Sequence, residues 1–370
     1  MAPSDRPVPG AGLTARRVKL YHQARTVHLE RALDARDVTI LYAVQRYDFD
    51  LDLARRADVR QLGDGPAALL VARSRPEVLE VTEPAYLPGV RRAALAVAAL
   101  RATTTLRRRP GPLVVTYAIA NSDPRREWVP RGPRQRLSRS VSIALSRWLY
   151  ARCDRVAFGT SAAEEVYRQL YRPPRRQERV VIPALPAPCG CDDRPVRRAG
   201  SLLFVGAFVE RKGFPALLRA WPTVAATLPN ATLHLVGTGR LVESARALAA
   251  ADERVVLDED PPRDVIHRAL RTAAVLILPS APMPTWREQI GLPILEGLQH
   301  GCTVVTTAET GLADWLREHG HVVIDSGAEA DALAAALVAA LDSPLDPSAV
   351  LADLPDRDGR QAAEDWLHRT

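Results

Sequence analysis

Short apolar, β-branched stretches alternate with stretches of helical period along this chain, and the alternation is broken once and then begins again. Strands are read at 18–22, 38–42, 78–81, 113–118, 156–160 and 180–183. Helical segments fall among them at 27–33, 90–108, 137–152 and 162–170, with another ending near Leu69. After the break, strands return at 201–206, 232–236, 255–257, 275–279, 302–307 and 322–325, with helices at 214–228, 265–273 and 330–341. Strand, helix, strand in series closes as a parallel pair with a right-handed crossover. The pattern therefore predicts two α/β domains, each built on a parallel sheet. The break, residues 184–200 (ALPAPCGCDDRPVRRAG), has the proline, glycine and charge of a linker. A length of 370 residues suits two domains of ordinary size. The predicted spans are 1–183 and 201–345, with 346–370 holding an amphipathic tail helix.

Composition removes several classes of protein. With 47% hydrophobic and 25% charged residues the chain is globular in type. No apolar run reaches the roughly 18 residues of a membrane span. Residues 1–12 lack the apolar core of a signal peptide, so a cytoplasmic location is expected. Four cysteines are too few for a disulfide framework in a chain this long. Cys189-Gly-Cys191 could suggest a metal pair but has no second cysteine pair and reads as a detail of the linker, with metal binding the lesser alternative; no metal is assigned. Asp48, Asp50 and Asp52 alternate as in some metal loops but lack the glycine and distal glutamate of a calcium site, so a solvated edge or loop is expected.

Charge is unevenly placed. The net charge is +7, yet residues 1–190 carry 33 Lys+Arg against 18 Asp+Glu, and residues 191–370 carry 17 against 25. A preference for arginine explains why lysine occurs only at positions 19 and 212, but not why the excess sits in one half. Such asymmetry marks a surface that meets something anionic. Arg107, Arg108 and Arg109 close a helix, where cations suit the C-terminus as well as they would suit lipid. Arg125, Arg126, Arg131, Arg134, Arg136, Arg139 and the neighbouring Arg147 are interleaved with Trp128, Trp148 and Tyr150. They fit an interfacial surface on an anionic membrane, and equally a solvated loop followed by a packed helix. No nucleic-acid-binding module accompanies the charge, so nucleic acid is not an expected partner.

The chemistry concentrates in residues 285–307, TWREQIGLPILEGLQHGCTVVTT. Pro293 suits the first turn of a helix, Gly301 suits a left-handed cap, and 302–307 has the composition of an interior strand. Backbone N–H groups at Ile290, Gly291 and Leu292 would point out of the helix start, which makes an anion site. Glu288 lies before that turn and Glu296 just inside the helix. Two acids that can hold neutral hydroxyls around a phosphate site is the polarity of a sugar nucleotide. A second loop, Gly206-Ala-Phe-Val-Glu-Arg211-Lys212-Gly213, runs from a strand into a helix, the usual phosphate position of doubly wound folds. It lacks the ending of a Walker A loop.

Together these elements resemble the donor domain of retaining GT-B glycosyltransferases of family 4. The resemblance covers about residues 201–345 and rests on FVGAFVERKGF, LHLVGTGRL, VLILPS and the E-x7-E pair Glu288…Glu296 in GLPILEGLQHGCTVV. It implies the GT-B architecture of two Rossmann-like domains with an interdomain cleft, and a last helix that crosses back to the first domain. It also implies a nucleotide-diphosphate sugar as co-substrate, no metal, and transfer with retention at the anomeric carbon. Carried over, Glu288 contacts the donor sugar, Glu296 the ribose, Lys212 with Arg211 the diphosphate, and Gly206 lies in the phosphate loop. An acceptor, itself unassigned, would bind the basic N-terminal domain, and the protein would dock peripherally on the inner membrane face.

Two positions depart from the family pattern: Ala207 stands where an arginine is frequent, and Gln289 where a glycine is frequent. They motivate the alternative of a non-catalytic GT-B-like binding or scaffold protein; a GT-B sugar-nucleotide epimerase is a further alternative. In the first half the resemblance is loose. His28 and its helix fit, but the preceding loop, His22-Gln-Ala-Arg25-Thr26, has no glycine, and 117–121 has no histidine. His28 reads as a helix-face or core residue, and no acceptor-side base is assigned.

Overall fold

The computed structural model describes residues 13, 15–34, 37–46, 49–106, 111–191 and 197–369. The leader 1–12, Asp48, the Arg107–Arg109 triplet with Pro110, and linker residues 192–196 lie outside the described residues. Two compact units are present. Unit 1 comprises residues 1–158, 166–181 and 363–370, and unit 2 residues 159–165 and 182–362.

Unit 1 carries a seven-stranded sheet of β1 (Arg17–Leu20), β2 (Val38–Tyr42), β3 (Val59–Gln61), β4 (Val78–Val81), β5 (Leu113–Ala118), β6 (Arg155–Phe158) and β7 (Glu178–Val181). Their spatial order is β3-β2-β1-β4-β5-β6-β7, with every pairing parallel. Chain direction across the sheet therefore reverses between β1 and β4. A short parallel pair, Gln23–Ala24 with Val44–Gln45, stands apart from it. The end of the last helix, Gly359–His368, belongs to unit 1 from residue 363 on and makes two side-chain contacts there. Buried Lys19 of β1 meets Glu364 at 2.7 Å, and Glu80 of β4 meets His368 at 3.2 Å.

Unit 2 repeats the plan with β8 (Ser201–Val205), β9 (Thr232–Val236), β10 (Val255–Asp258), β11 (Val275–Leu278), β12 (Thr303–Thr307) and β13 (Val322–Ile324). The order is β10-β9-β8-β11-β12-β13, again all parallel. β8, β11 and β12 are buried at every residue. Strands covered by helices on both faces must be apolar throughout, which is why they read as runs and not as alternations. Their side chains form one core with the helices Phe214–Thr227, Leu292–Gln299 and Ala330–Asp342.

Asp50 lies exposed in a loop, as expected, and its carboxylate caps the helix Leu51–Arg56, accepting from the N–H groups of Asp52 and Leu53 at 2.8 and 3.0 Å. Several other sequence expectations shift. The helix expected to end near Leu69 runs Asp64–Ser74. Val242–Ala251 is a helix that the sequence reading left out; its start has no side-chain cap, so the usual signal is missing. Pro293 takes the second position of its helix, one later than expected. Tyr150 is not an interfacial anchor: it is buried and stacks on Tyr171 at 4.6 Å. Trp148 is half-buried, with Arg152 stacked 4.0 Å over its ring.

Candidate active site

In an open parallel sheet, ligands bind beyond the carboxyl ends of the strands where the strand order reverses. In unit 2 that point lies between β8 and β11. Two loops leave the sheet there, 206–213 after β8 and 279–291 after β11. They are the two loops in which the sequence places the candidate residues.

The loops are tied directly. The Ala281 N–H donates to the Arg211 carbonyl at 3.1 Å. Gly213, at φ +71°, lies so close to Pro279 that an added Cβ would stand 1.7 Å from the Pro279 carbonyl oxygen. Only glycine permits that approach. It brings Lys212 to Glu288 across 76 residues of sequence: Lys212 Nζ donates to Glu288 Oε2 at 2.5 Å. Ser280 Oγ donates to the same oxygen at 3.1 Å. Both charged side chains are largely buried, at 12% and 10% exposure. The indole of Trp286 lies beneath the Arg211 guanidinium at 4.8 Å and 5.7 Å from Lys212 Nζ. Arg211, Lys212 and Glu288 are thus one cluster. Ser280 and Trp286 belong to it and were not singled out from the sequence; neither has a spacing signature.

The site continues into the Leu292–Gln299 helix. Gly291 precedes it at φ +86°, and the carbonyl of Ile290 accepts from Thr310 Oγ1 at 2.7 Å. The left-handed turn therefore falls on Gly291. Gln289 is not among the positive-φ residues, so a glycine is not required at that departure from the family pattern. Its carbonyl is held by the Gly311 N–H at 3.0 Å. The first-turn N–H groups of a helix have no intrahelical acceptor and carry the positive end of its dipole. Leu292 stands 62% exposed at that helix start. Glu296 lies in the helix's second turn and is held by Arg263 at 2.6 Å. Gly206 closes β8, its N–H donating to the Val236 carbonyl at 2.9 Å. Asp258, Glu259 and Asp260 are not grouped as a metal site: Asp258 pairs with His234 at 2.8 Å and Glu259 with Arg246 at 2.6 Å.

Unit 1 has its own reversal point, between β1 and β4, and a carboxyl there that the sequence reading did not find. Glu83 Oε2 accepts from the N–H groups of Ile119 and Ala120 at 3.1 and 3.0 Å and from Tyr167 Oη at 3.2 Å. Burial nevertheless dominates and pushes the carboxyl up to about 7. The loop 119–121, which lacks a histidine, thus presents its backbone to an acid. Beside it, the His22 N–H donates to Thr82 Oγ1 at 3.2 Å, and burial holds the His22 imidazole below its ordinary range. His28 is local in role: its Nδ1 accepts from the Arg25 N–H at 3.2 Å and its ring stacks on Tyr21 at 4.3 Å.

Comparison with known proteins bears on the fold and on the second unit. Residues 199–343 match the family model of glycosyl transferases, group 1. Across 95% of both chains the fold superposes on Anabaena Alr3699/HepE in complex with UDP, at a TM-score of 0.64 and 13% identity. WaaG, a glycosyltransferase involved in lipopolysaccharide biosynthesis, superposes over 96% of this chain and all of that one, at 0.61 and 15%. The fold is GT-B, and residues 199–343 of its second unit are similar to the group 1 glycosyl transferases.

Among curated proteins, a GDP-mannose-dependent monoacylated alpha-(1-6)-phosphatidylinositol monomannoside mannosyltransferase of Corynebacterium glutamicum is 29% identical over 158 residues, 42% of this chain and 40% of that one. A glycogen synthase of Mycobacterium tuberculosis is 28% identical over 243 residues, 63% of this chain and 55% of that one. The chain thus spans about half the length of the curated relatives it matches. Among the described residues, no helix is long and apolar enough to cross a membrane.

Proposed function

We propose that the protein transfers a sugar from a nucleoside-diphosphate sugar, bound by unit 2, to an acceptor bound by unit 1, with retention at the anomeric carbon. The observation that carries the proposal is the buried Lys212–Glu288 pair at the reversal point of the second sheet, beside a free helix start. A diphosphate would draw Lys212 Nζ and Arg211 to itself and lie against the N–H groups near Ile290, Gly291 and Leu292. Glu288 would turn to a sugar hydroxyl and Glu296 to the ribose. Charge develops on the leaving diphosphate as the glycosidic bond breaks, and each well-placed donor is worth roughly 3 kcal/mol to that transition state. The similar structures of Anabaena Alr3699/HepE in complex with UDP and with UDP-glucose support this class of donor. On the acceptor side, Glu83 is the group placed to bind a hydroxyl, since a carboxyl near half-protonation can donate or accept.

The test is turnover of a panel of nucleoside-diphosphate sugars, after thermal shift with UDP, GDP, ADP and TDP has chosen the base. Transfer without added Mg²⁺ or Mn²⁺, with product of the donor's anomeric configuration, is expected. Turnover unchanged in Glu288→Ala and Lys212→Ala would sink the assignment. No nucleotide binding at all would favour the scaffold alternative, and nucleotide release without an acceptor the epimerase.

A further inference from the structure

Cys189-Gly-Cys191 has no cysteine partner in the sequence, but the fold supplies a different one. The segment leading into β8 is pinned against the end of the Leu292–Gln299 helix, with the Cys189 N–H donating to the Gln299 carbonyl at 3.0 Å. This places both thiols beside the buried His300, the residue that caps the helix. One ligand atom from each of Cys189, Cys191 and His300 lies within 4.8 Å of the other two. We propose that these three residues bind a zinc ion, with His267 as the fourth ligand.

Three features fit a tetrahedral thiolate–imidazole site. Two sulfurs and two nitrogens are a donor set that zinc favours over hard cations, which take oxygen. The His300 ring is oriented as a metal-binding histidine is, with Nδ1 facing the Glu296 carbonyl at 2.7 Å, so that Nε2 keeps its lone pair. Finally, His267 Nδ1 stands 3.2 Å from His300 Nε2. Two nitrogens on one tetrahedral zinc, each at about 2.0–2.1 Å, are separated by about 3.3 Å.

Binding would release one proton from each thiol to solvent, with two S–Zn and two N–Zn bonds formed and no change of oxidation state. The ion would clip the entry of unit 2 to the back of the helix that carries Glu296, and so brace the donor side from behind without touching the substrate.

The full chain, reduced and freed of metal, is titrated with Co²⁺ alone and then with Zn²⁺ alone. One equivalent of each is expected to bind, with Co²⁺ developing thiolate charge-transfer bands and the strong visible bands of tetrahedral geometry. Zinc should raise the melting temperature of the wild type, and EDTA should reverse it. The double variant Cys189→Ser/Cys191→Ser should lose the charge-transfer bands and the thermal response. His300→Gln, which keeps both thiols, should weaken Zn²⁺ binding at least about tenfold. Should the double variant fail to fold, the wild-type cobalt spectrum and His300→Gln still decide. Absence of thiolate-to-cobalt bands in folded, reduced wild type overturns the proposal, as does unaltered affinity in His300→Gln. A disulfide between Cys189 and Cys191, found by mass after thiol trapping at lysis, overturns it too.

Discussion

Lys212 and Glu288 hold each other, and that mutual engagement has consequences for both. Lys212→Met leaves a buried carboxylate without its cation and is expected to cost about 3 kcal/mol, read as a lower urea midpoint. Lys212→Met/Glu288→Leu should recover most of that loss while abolishing turnover. Glu288→Gln removes the anion that competes with a diphosphate for Lys212. UDP, if it is the base chosen by thermal shift, should then bind about tenfold tighter, ~1.4 kcal/mol, although transfer fails. Equal or weaker binding would show that Lys212 does not exchange Glu288 for phosphate. Glu83 is tested by pH. Its carboxyl is raised from 4.5 to about 7 by burial, so the folded chain binds its proton more tightly than the unfolded one. Its stabilising contribution is complete below 4.5 and is lost as pH rises through 7. Melting curves across that window should slope downward for wild type and flatten in Glu83→Gln.

At the scale of elements, loop chemistry depends on close packing behind it. Gly213→Ala forces a Cβ onto the Pro279 carbonyl and a left-handed φ onto alanine, which should cost well over ~1 kcal/mol. The expected signature is a lowered melting temperature together with weakened nucleotide binding, because the same loop carries Arg211 and Lys212. β12 and β13 are joined through His321, whose Nδ1 accepts from the Val304 N–H at 3.1 Å. Burial lowers this imidazole from 6.5 to about 4. Its contribution is present above 6.5 and lost as pH falls through 4, so acid should destabilise wild type more steeply than His321→Gln over that range. Most of these elements were legible from sequence. β8 and β11 are largely apolar runs, β12 is β-branched throughout, and Gly291-Leu292-Pro293 marks a helix start. Val242–Ala251 was not legible, since an alanine-rich helix without a capping side chain gives no boundary. The loop at Asp50 was legible but its capping role was not, because an acid alternation and an N-cap share the same letters until the chain is folded.

For the molecule as a whole, the basic excess of residues 1–190 has a surface expression, though not at the aromatic residues expected. Val129, Leu137 and Val141 are exposed at 65%, 68% and 42%. The latter two lie one helical turn apart in Pro133–Tyr150, among exposed Arg134, Arg136 and Arg147. Apolar side chains amid arginine suit an anionic lipid surface. Co-sedimentation with phosphatidylserine-containing vesicles should exceed that with phosphatidylcholine alone and fall with added salt. Leu137→Ser/Val141→Ser should reduce it severalfold; equal partition into both vesicle types would refute membrane docking.

By itself the sequence determined the α/β class, the two sheets and the donor motif, because hydrophobic period and the Glu288…Glu296 spacing are written in neighbouring residues. Only the tertiary structure decided which distant side chains meet. Strand order puts the loop after β8 against the loop after β11, joining Lys212 to Glu288. It sets the backbone of Ile119 and Ala120 on Glu83 and brings His300 to Cys189 and Cys191. Such meetings are set by which strands lie side by side in the completed sheets, and no local propensity along the chain encodes that order.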